Sequence, residues 1–140
     1  MPKIHGNLEH IKIKDSSGNW VVIRQPDADG FQQNWETTYT EDSGRVMTGQ
    51  AQLEPLFTVE NISCKWTNVW RDDVSEILKL IVPTAKKPTF ILHYWSWYYN
   101  KWRDDEFYVG KGTLDVNQIN GDYTKVKSIT CNLIGVNPLI

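Results

Sequence analysis

Apolar residues recur with convincing helical spacing at one place in this chain. Val74, Ile77, Leu78 and Ile81 follow the i, i+3, i+4, i+7 pattern, the single stripe of a helix lying on a core. Asp72 or Asp73 stands where a cap is needed, and Glu76 lies three residues after Asp73; acidic residues there also suit the helix dipole. Pro83 closes the segment, because it lacks the amide hydrogen that a next turn requires. The spacing predicts one α-helix over about residues 72–82, packed on a sheet by one face.

Most of the remainder alternates with a period of two and breaks at turn residues. Ile11 to Lys14, the turn Asp15-Ser16-Ser17-Gly18 and Asn19 to Ile23 read as a hairpin. Phe31 to Thr40 is polar but rich in Trp, Tyr and Thr; Glu41 to Gly44 is a turn signal, and Arg45 to Leu53 returns. This second hairpin, about residues 32–53, has few aliphatic residues, so it is expected to project from the core or to lie on a partner. Leu56 to Trp66 is a strand with Phe57 and Val59 on one face and Ile62, Cys64 and Trp66 on the other; a bulge near Glu60-Asn61 would turn all five inward.

After the helix, Thr89 to Tyr98 is apolar on both faces, as a central, doubly covered strand would be. Glu106 to Val116 carries Gly110 and Gly112, a bend or bulge signal. Asn120-Gly121-Asp122 reads as a hairpin turn signal, and Lys125 to Gly135 alternates with Ile129, Cys131 and Leu133 inward. The expectation is a β-rich α+β domain spanning residues 1–140. It would be an antiparallel β-sandwich or open barrel of about eight strands with one helix.

Composition narrows function by exclusion. A formal net charge of −2 without a basic block does not suit a phosphate-binding surface, so no specific nucleic-acid binding is expected. No apolar run has the length of a membrane span, and Met1 to Gly6 does not resemble a signal peptide; synthesis in a cytoplasm, with reduced cysteines, follows. His5, His10 and His93 lack metal-ligand spacing, and Cys64 and Cys131 read as small buried residues. Asp72/Asp73 and Asp104 to Glu106 read as a cap and a solvated turn rather than as a carboxylate pair. Trp-Arg-Asp-Asp occurs at both 70–73 and 102–105, with unlike flanks. No catalytic residue, metal ligand or cofactor motif is recognised, so the chain is expected not to be an enzyme.

What remains is aromatic. Seven Trp and six Tyr are many for 140 residues, and the densest run is Tyr94-Trp95-Ser96-Trp97-Tyr98-Tyr99, followed by Trp102. Tyr94, Trp95 and Trp97 are read as core. Tyr98, Tyr99 and Trp102, near a polar turn, are read as protein-interface anchors or as a sugar-stacking platform. Trp35, Tyr39, Arg45 and Met47 of the polar hairpin complete the candidate interface.

One resemblance bears on these alternatives. It rests on Gly44-Arg45-Val46-Met47-Thr48-Gly49, Lys65-Trp66-Thr67-Asn68-Val69, the helix Val74 to Val82, Phe90-Ile91-Leu92-His93-Tyr94, Glu106-Phe107-Tyr108-Val109-Gly110 and Ile129 to Ile134. In order and spacing, over about residues 44–135, these resemble small proteins encoded in the tail-assembly modules of bacteriophages and prophages of Gram-positive bacteria. The resemblance implies a virion structural protein of tail-tube, terminator or distal-tail type. Such a protein would self-associate in a ring or dock to other tail proteins, its hairpin touching a neighbour. A mildly acidic chain would suit a wall past which DNA slides. The alternative, drawn from the rings alone, is a module binding host-surface glycans.

Overall fold

The computed structural model describes residues 10–41, 44–45, 49–116 and 124–140. Within them lie β1 (Lys12–Lys14), β2 (Trp20–Val22), β3 (Gln32–Tyr39), β4 (Gly44–Arg45), β5 (Ala51–Gln52), β6 (Pro55–Trp70), α1 (Arg71–Ile81), β7 (Phe90–Ser96), β8 (Lys101–Asp115) and β9 (Lys125–Gly135). Seven strands form one antiparallel sheet in the order β2-β1-β7-β8-β9-β6-β3, while β4 and β5 pair only with each other. Among the described residues the fold is β-rich with a single helix, and its sheet does not close into a barrel.

The sheet nevertheless curls strongly. Glu60 on β6 and Tyr94 on β7 are separated by two intervening strands, a span of about 14 Å across a flat sheet. Their side chains meet directly, with the Tyr94 hydroxyl donating to Glu60 Oε1 at 2.5 Å. The concave face holds Ile13, Leu92, Tyr94, Phe107, Ile62, Cys64, Trp66, Ile129, Cys131 and Leu133, all buried in one cluster. Helix α1 packs into that cluster with Val74, Ile77, Leu80 and Ile81. It follows directly on β6 and touches β6 and β9, so it fills the concave face towards the C-terminal end of β6.

The segment between β2 and β3 runs along β6 beyond the end of β3 and takes the place of a further strand. The Asp27 amide donates to the Lys65 carbonyl at 2.7 Å, the Trp66 indole donates to the Arg24 carbonyl at 2.7 Å, and the Arg24 guanidinium donates to the Thr67 and Asn68 carbonyls. The Gln25 carboxamide ties Ile11 and Ile23 together. Residues 23–31 therefore bridge from one sheet edge to the other.

Several expectations are corrected here. Residues 32–53 do not form their own hairpin: Gln32–Tyr39 pairs with β6, Trp35 opposite Glu60 and Thr37 opposite Thr58, and the returning half is a connection carrying the short β4–β5 ribbon. There is no register shift at Glu60-Asn61. The inward row of β6 is Glu60, Ile62, Cys64 and Trp66, while Phe57 is exposed. The departure comes instead at Asn68, whose φ of 54° is left-handed, and Val69 is buried beyond it. Trp70 rather than Asp72 or Asp73 precedes the helix, without a side-chain cap; the Thr124 carbonyl accepts the Arg71 amide, and the two aspartates occupy the first turn.

Other expectations hold. The β1–β2 turn is closed by Asp15, whose Oδ1 accepts the Ser17 and Asn19 amides, with Gly18 at φ 87°. The Gly110–Gly112 bulge is present as a register shift between Val109 and Gly112. A side chain at Gly110 would sit 3.3 Å from Ile134. Cys64 and Cys131 are direct cross-strand partners, both buried and both free thiols. The turn at 120–122, Met47 and His5 lie outside the described residues.

Candidate functional site

At the end of the curl remote from α1, the β3 edge approaches the end of β7 without pairing to it. The Gln33 carboxamide spans this seam: its amide donates to the Trp95 carbonyl, and its oxygen accepts the Trp97 amide at 3.3 Å. The strands do not meet, so a cleft of about 690 Å³ opens between them, within the size range of ligand and peptide sites. Its lining includes Phe31, Trp35, Trp97, Tyr98, Glu60 and Leu139.

Each wall has a local cause. Trp35 faces Glu60 across the β3–β6 pair, on the same side of the sheet; β3 is the last strand among the described residues, and the indole is 74% exposed. Ser96 and Lys101 are the last partners of the β7–β8 hairpin, whose four-residue turn uses Asn100 at φ 58°. That turn lifts Trp97, 73% exposed, and Tyr98 out of the core. Tyr98 stands edge-on to Tyr99, and their hydroxyls bond the Ile140 carbonyl and amide, which with Leu139 N–H to Thr58 O fixes the C-terminal residues along the cleft.

The floor is a carboxylate. Glu60 is 7% exposed; its Oε1 accepts from Tyr94 and its Oε2 from the Ser96 hydroxyl at 3.0 Å. Ser96 in turn accepts the Tyr99 amide, so its proton is directed at Glu60. Burial above all, then the bond to Glu60 and its charge, push the Tyr94 phenol well above its ordinary range. Among the described residues no cation pairs with Glu60. The nearest arginine in the hairpin, Arg103 opposite Tyr94, is engaged by Asp105 at 3.7 Å and by the Tyr99 ring at 4.0 Å.

The sequence-derived candidates separate in space. Trp35 and Tyr98 meet in the cleft. Tyr39 is exposed at the far end of β3, opposite Pro55. Arg45 lies on the β4–β5 ribbon. Tyr99 sits behind Tyr98 beneath Arg103. Trp102 lies on the convex face, stacked on His93 at 5.1 Å. His93 is also bonded to Asp104 at 2.5 Å and flanked by Trp20. Tyr98, Tyr99 and Trp102 thus do not form one platform. Trp97, read from strand parity as core, is exposed, and Trp95 is half-buried on the convex face against Trp97 and Trp102; the second face of β7 is covered by these rings rather than by another layer. Gln33, Glu60, Phe31 and Leu139 were not expected at a site. A glutamate on the parity of Ile62, Cys64 and Trp66 was the signal available for Glu60.

Among the described residues no group of three or more His, Cys, Asp or Glu side chains is placed to hold a metal ion, and no helix is long and apolar enough to cross a membrane. Neither any protein-family description nor any curated protein sequence matches the chain.

Proposed function

We propose that this protein is a structural subunit of a bacteriophage tail, in the tube, terminator or baseplate region, working by assembly with copies of itself and with other tail proteins in the virion after synthesis in the host cytoplasm. The observation that carries the reading is the β3 edge. Eight residues of strand end the sheet, with no further strand beside them among the described residues. Around them Trp35, Tyr39, Leu56, Phe57, Trp97 and Tyr98 are all exposed. A long unprotected edge beside large apolar rings is a liability for a lone molecule and a natural contact for an assembling one. At the other end of the sheet, β2 is also the last strand among the described residues, and it exposes Trp20 and Val22. Two unlike edges on one subunit suit a head-to-tail contact, which closes into a ring when its rotation allows. The resemblance of the sequence over about residues 44–135 to tail-module proteins points the same way.

Sedimentation analysis and negative-stain microscopy of the purified protein, alone and with the products of adjacent genes, test the reading. Rings or tubes that disappear in Trp35→Ala and Thr37→Pro variants of unchanged fold are expected. A protein that stays monomeric up to its solubility limit in all these mixtures overturns it. Saturable binding of cell-wall polysaccharide by the monomer would favour a glycan-binding module instead.

A further inference from the structure

The seam cleft has walls of aromatic rings, a carboxylate at its floor and no resident cation among the described residues. We propose that it is a receptor for a basic side chain, an arginine above all, presented by a loop of a neighbouring protein subunit in the assembly. The inference names the chemistry of the contact and so rests on the assembly reading.

The polar groups around the cleft decide between ligand classes. Gln33 is spent on the Trp95 and Trp97 backbone. The Asn34 amide donates to Ser63 Oγ, and the Thr58 hydroxyl is paired with that of Thr37 at 2.8 Å. Each of these groups already holds a protein partner, which leaves fewer directed bonds for a saccharide. The Glu60 charge is different. Two neutral hydroxyls stabilise it, yet each carboxylate oxygen keeps a further acceptor site, and a buried charge gains most from an opposite one. Trp35 flanks the carboxylate from β3, while Trp97 and Tyr98 stand across the seam. Faces of such rings attract cations. A guanidinium serves both features, since it stacks flat on an indole and forks onto a carboxylate, whereas an ammonium is a more strongly hydrated point charge. A cleft of about 690 Å³ also has room for the backbone that delivers the side chain.

The test uses the intact protein and N-acetyl-arginine amide, with N-acetyl-citrulline amide as the uncharged isostere and a soluble β-glucan oligomer as the sugar arm. Tryptophan fluorescence and the indole N–H signals of Trp35 and Trp97 report occupancy. Saturable perturbation of both indoles by the arginine probe is expected, with the citrulline probe weaker by about ten-fold or more. Binding should be lost in Glu60→Gln and in Trp35→Ala, the second an exposed position that leaves the core intact. Equal response to both probes, binding that survives both substitutions, or saturation by the glucan alone overturns the proposal. If rings form but the arginine probe does not bind, the cation site falls and the assembly reading stands. If the probe binds as expected to a protein that never assembles, the site stands and the assembly reading falls.

Discussion

At the residue scale, the fold tolerates a glutamate inside its curl because two hydroxyls converge on it. Tyr94 comes from the inward row of β7 and Ser96 from its last inward position, so one strand supplies both donors. Tyr94→Phe keeps the ring against Phe107, which it meets edge-on at 5.0 Å, and deletes only the hydroxyl. The carboxylate would lose a charge-assisted bond, and a loss of about 1–3 kcal/mol in urea-unfolding free energy is expected. A change within experimental error would show that water replaces the hydroxyl from the cleft side.

The two thiols give a second prediction at this scale. Burial pushes Cys131 up to about 12. Cys64 also stands well above its ordinary value of 9.0, through burial first and then through the charge of Cys131. Both folded-state values are raised, so the unfolded chain releases these protons first as pH rises. The stabilising contribution is complete below about pH 9 and is lost progressively from there towards about 12. The slope is up to about 1.4 kcal/mol per pH unit for each thiol. Unfolding midpoints measured at about pH 8 to 10 should fall more steeply for the native chain than for a Cys64→Val, Cys131→Val double variant. Parallel slopes would contradict the burial argument.

At the element scale, β6 organises the molecule: it pairs with β3 along its first half and with β9 along its second, and it runs straight into α1. Asn68 is the joint. Its left-handed φ of 54° suits asparagine or glycine and resists β-branched residues, and its carbonyl accepts from Arg24. Asn68→Gly should be near neutral, whereas Asn68→Val should cost about 1–2 kcal/mol in chemical denaturation. A harmless valine would mean that the strand passes this point without the turn. The same strand shows what was legible in advance. The alternation of Ile62, Cys64 and Trp66, the helical stripe and the Gly110–Gly112 bulge express short-range periodicity, which backbone geometry imposes wherever one face is buried. Three features escaped that periodicity, two of them through partners distant in sequence. Residues 32–39 pair with β6 rather than with the residues just after them. The parity of Thr89 to Tyr98 breaks at a turn whose only local mark is Asn100. Glu60 looks like an error in an apolar row until Tyr94 and Ser96 are brought to it from across the sheet. The site assembles from such partners, so half of its walls, Trp35 and Tyr98, were named from their chemistry, and its floor was not.

At the scale of the whole molecule, the sheet is an unfinished barrel with two fasteners. The 23–31 segment spans the gap along the C-terminal half of β6, and among the described residues Gln33 fastens β3 to the end of β7. Gln33 is itself only half-buried, so its substitution should act on the seam without emptying the core. Gln33→Leu would leave the Trp95 carbonyl and the Trp97 amide without their side-chain partner, at an expected global cost of about 1 kcal/mol. The telling consequence is local. Amide exchange at Trp97 and along Gln32–Tyr39 should accelerate well before that at Ile62, Cys64, Leu133 or Leu92, because an edge strand released on one side opens as its own unit. Uniform acceleration across all strands would mean that the curl is held by the core and not by the fastener. A faster-exchanging β3 combined with weakened assembly would tie the seam mechanically to the contact surface, since Trp35 is then held less firmly over Glu60.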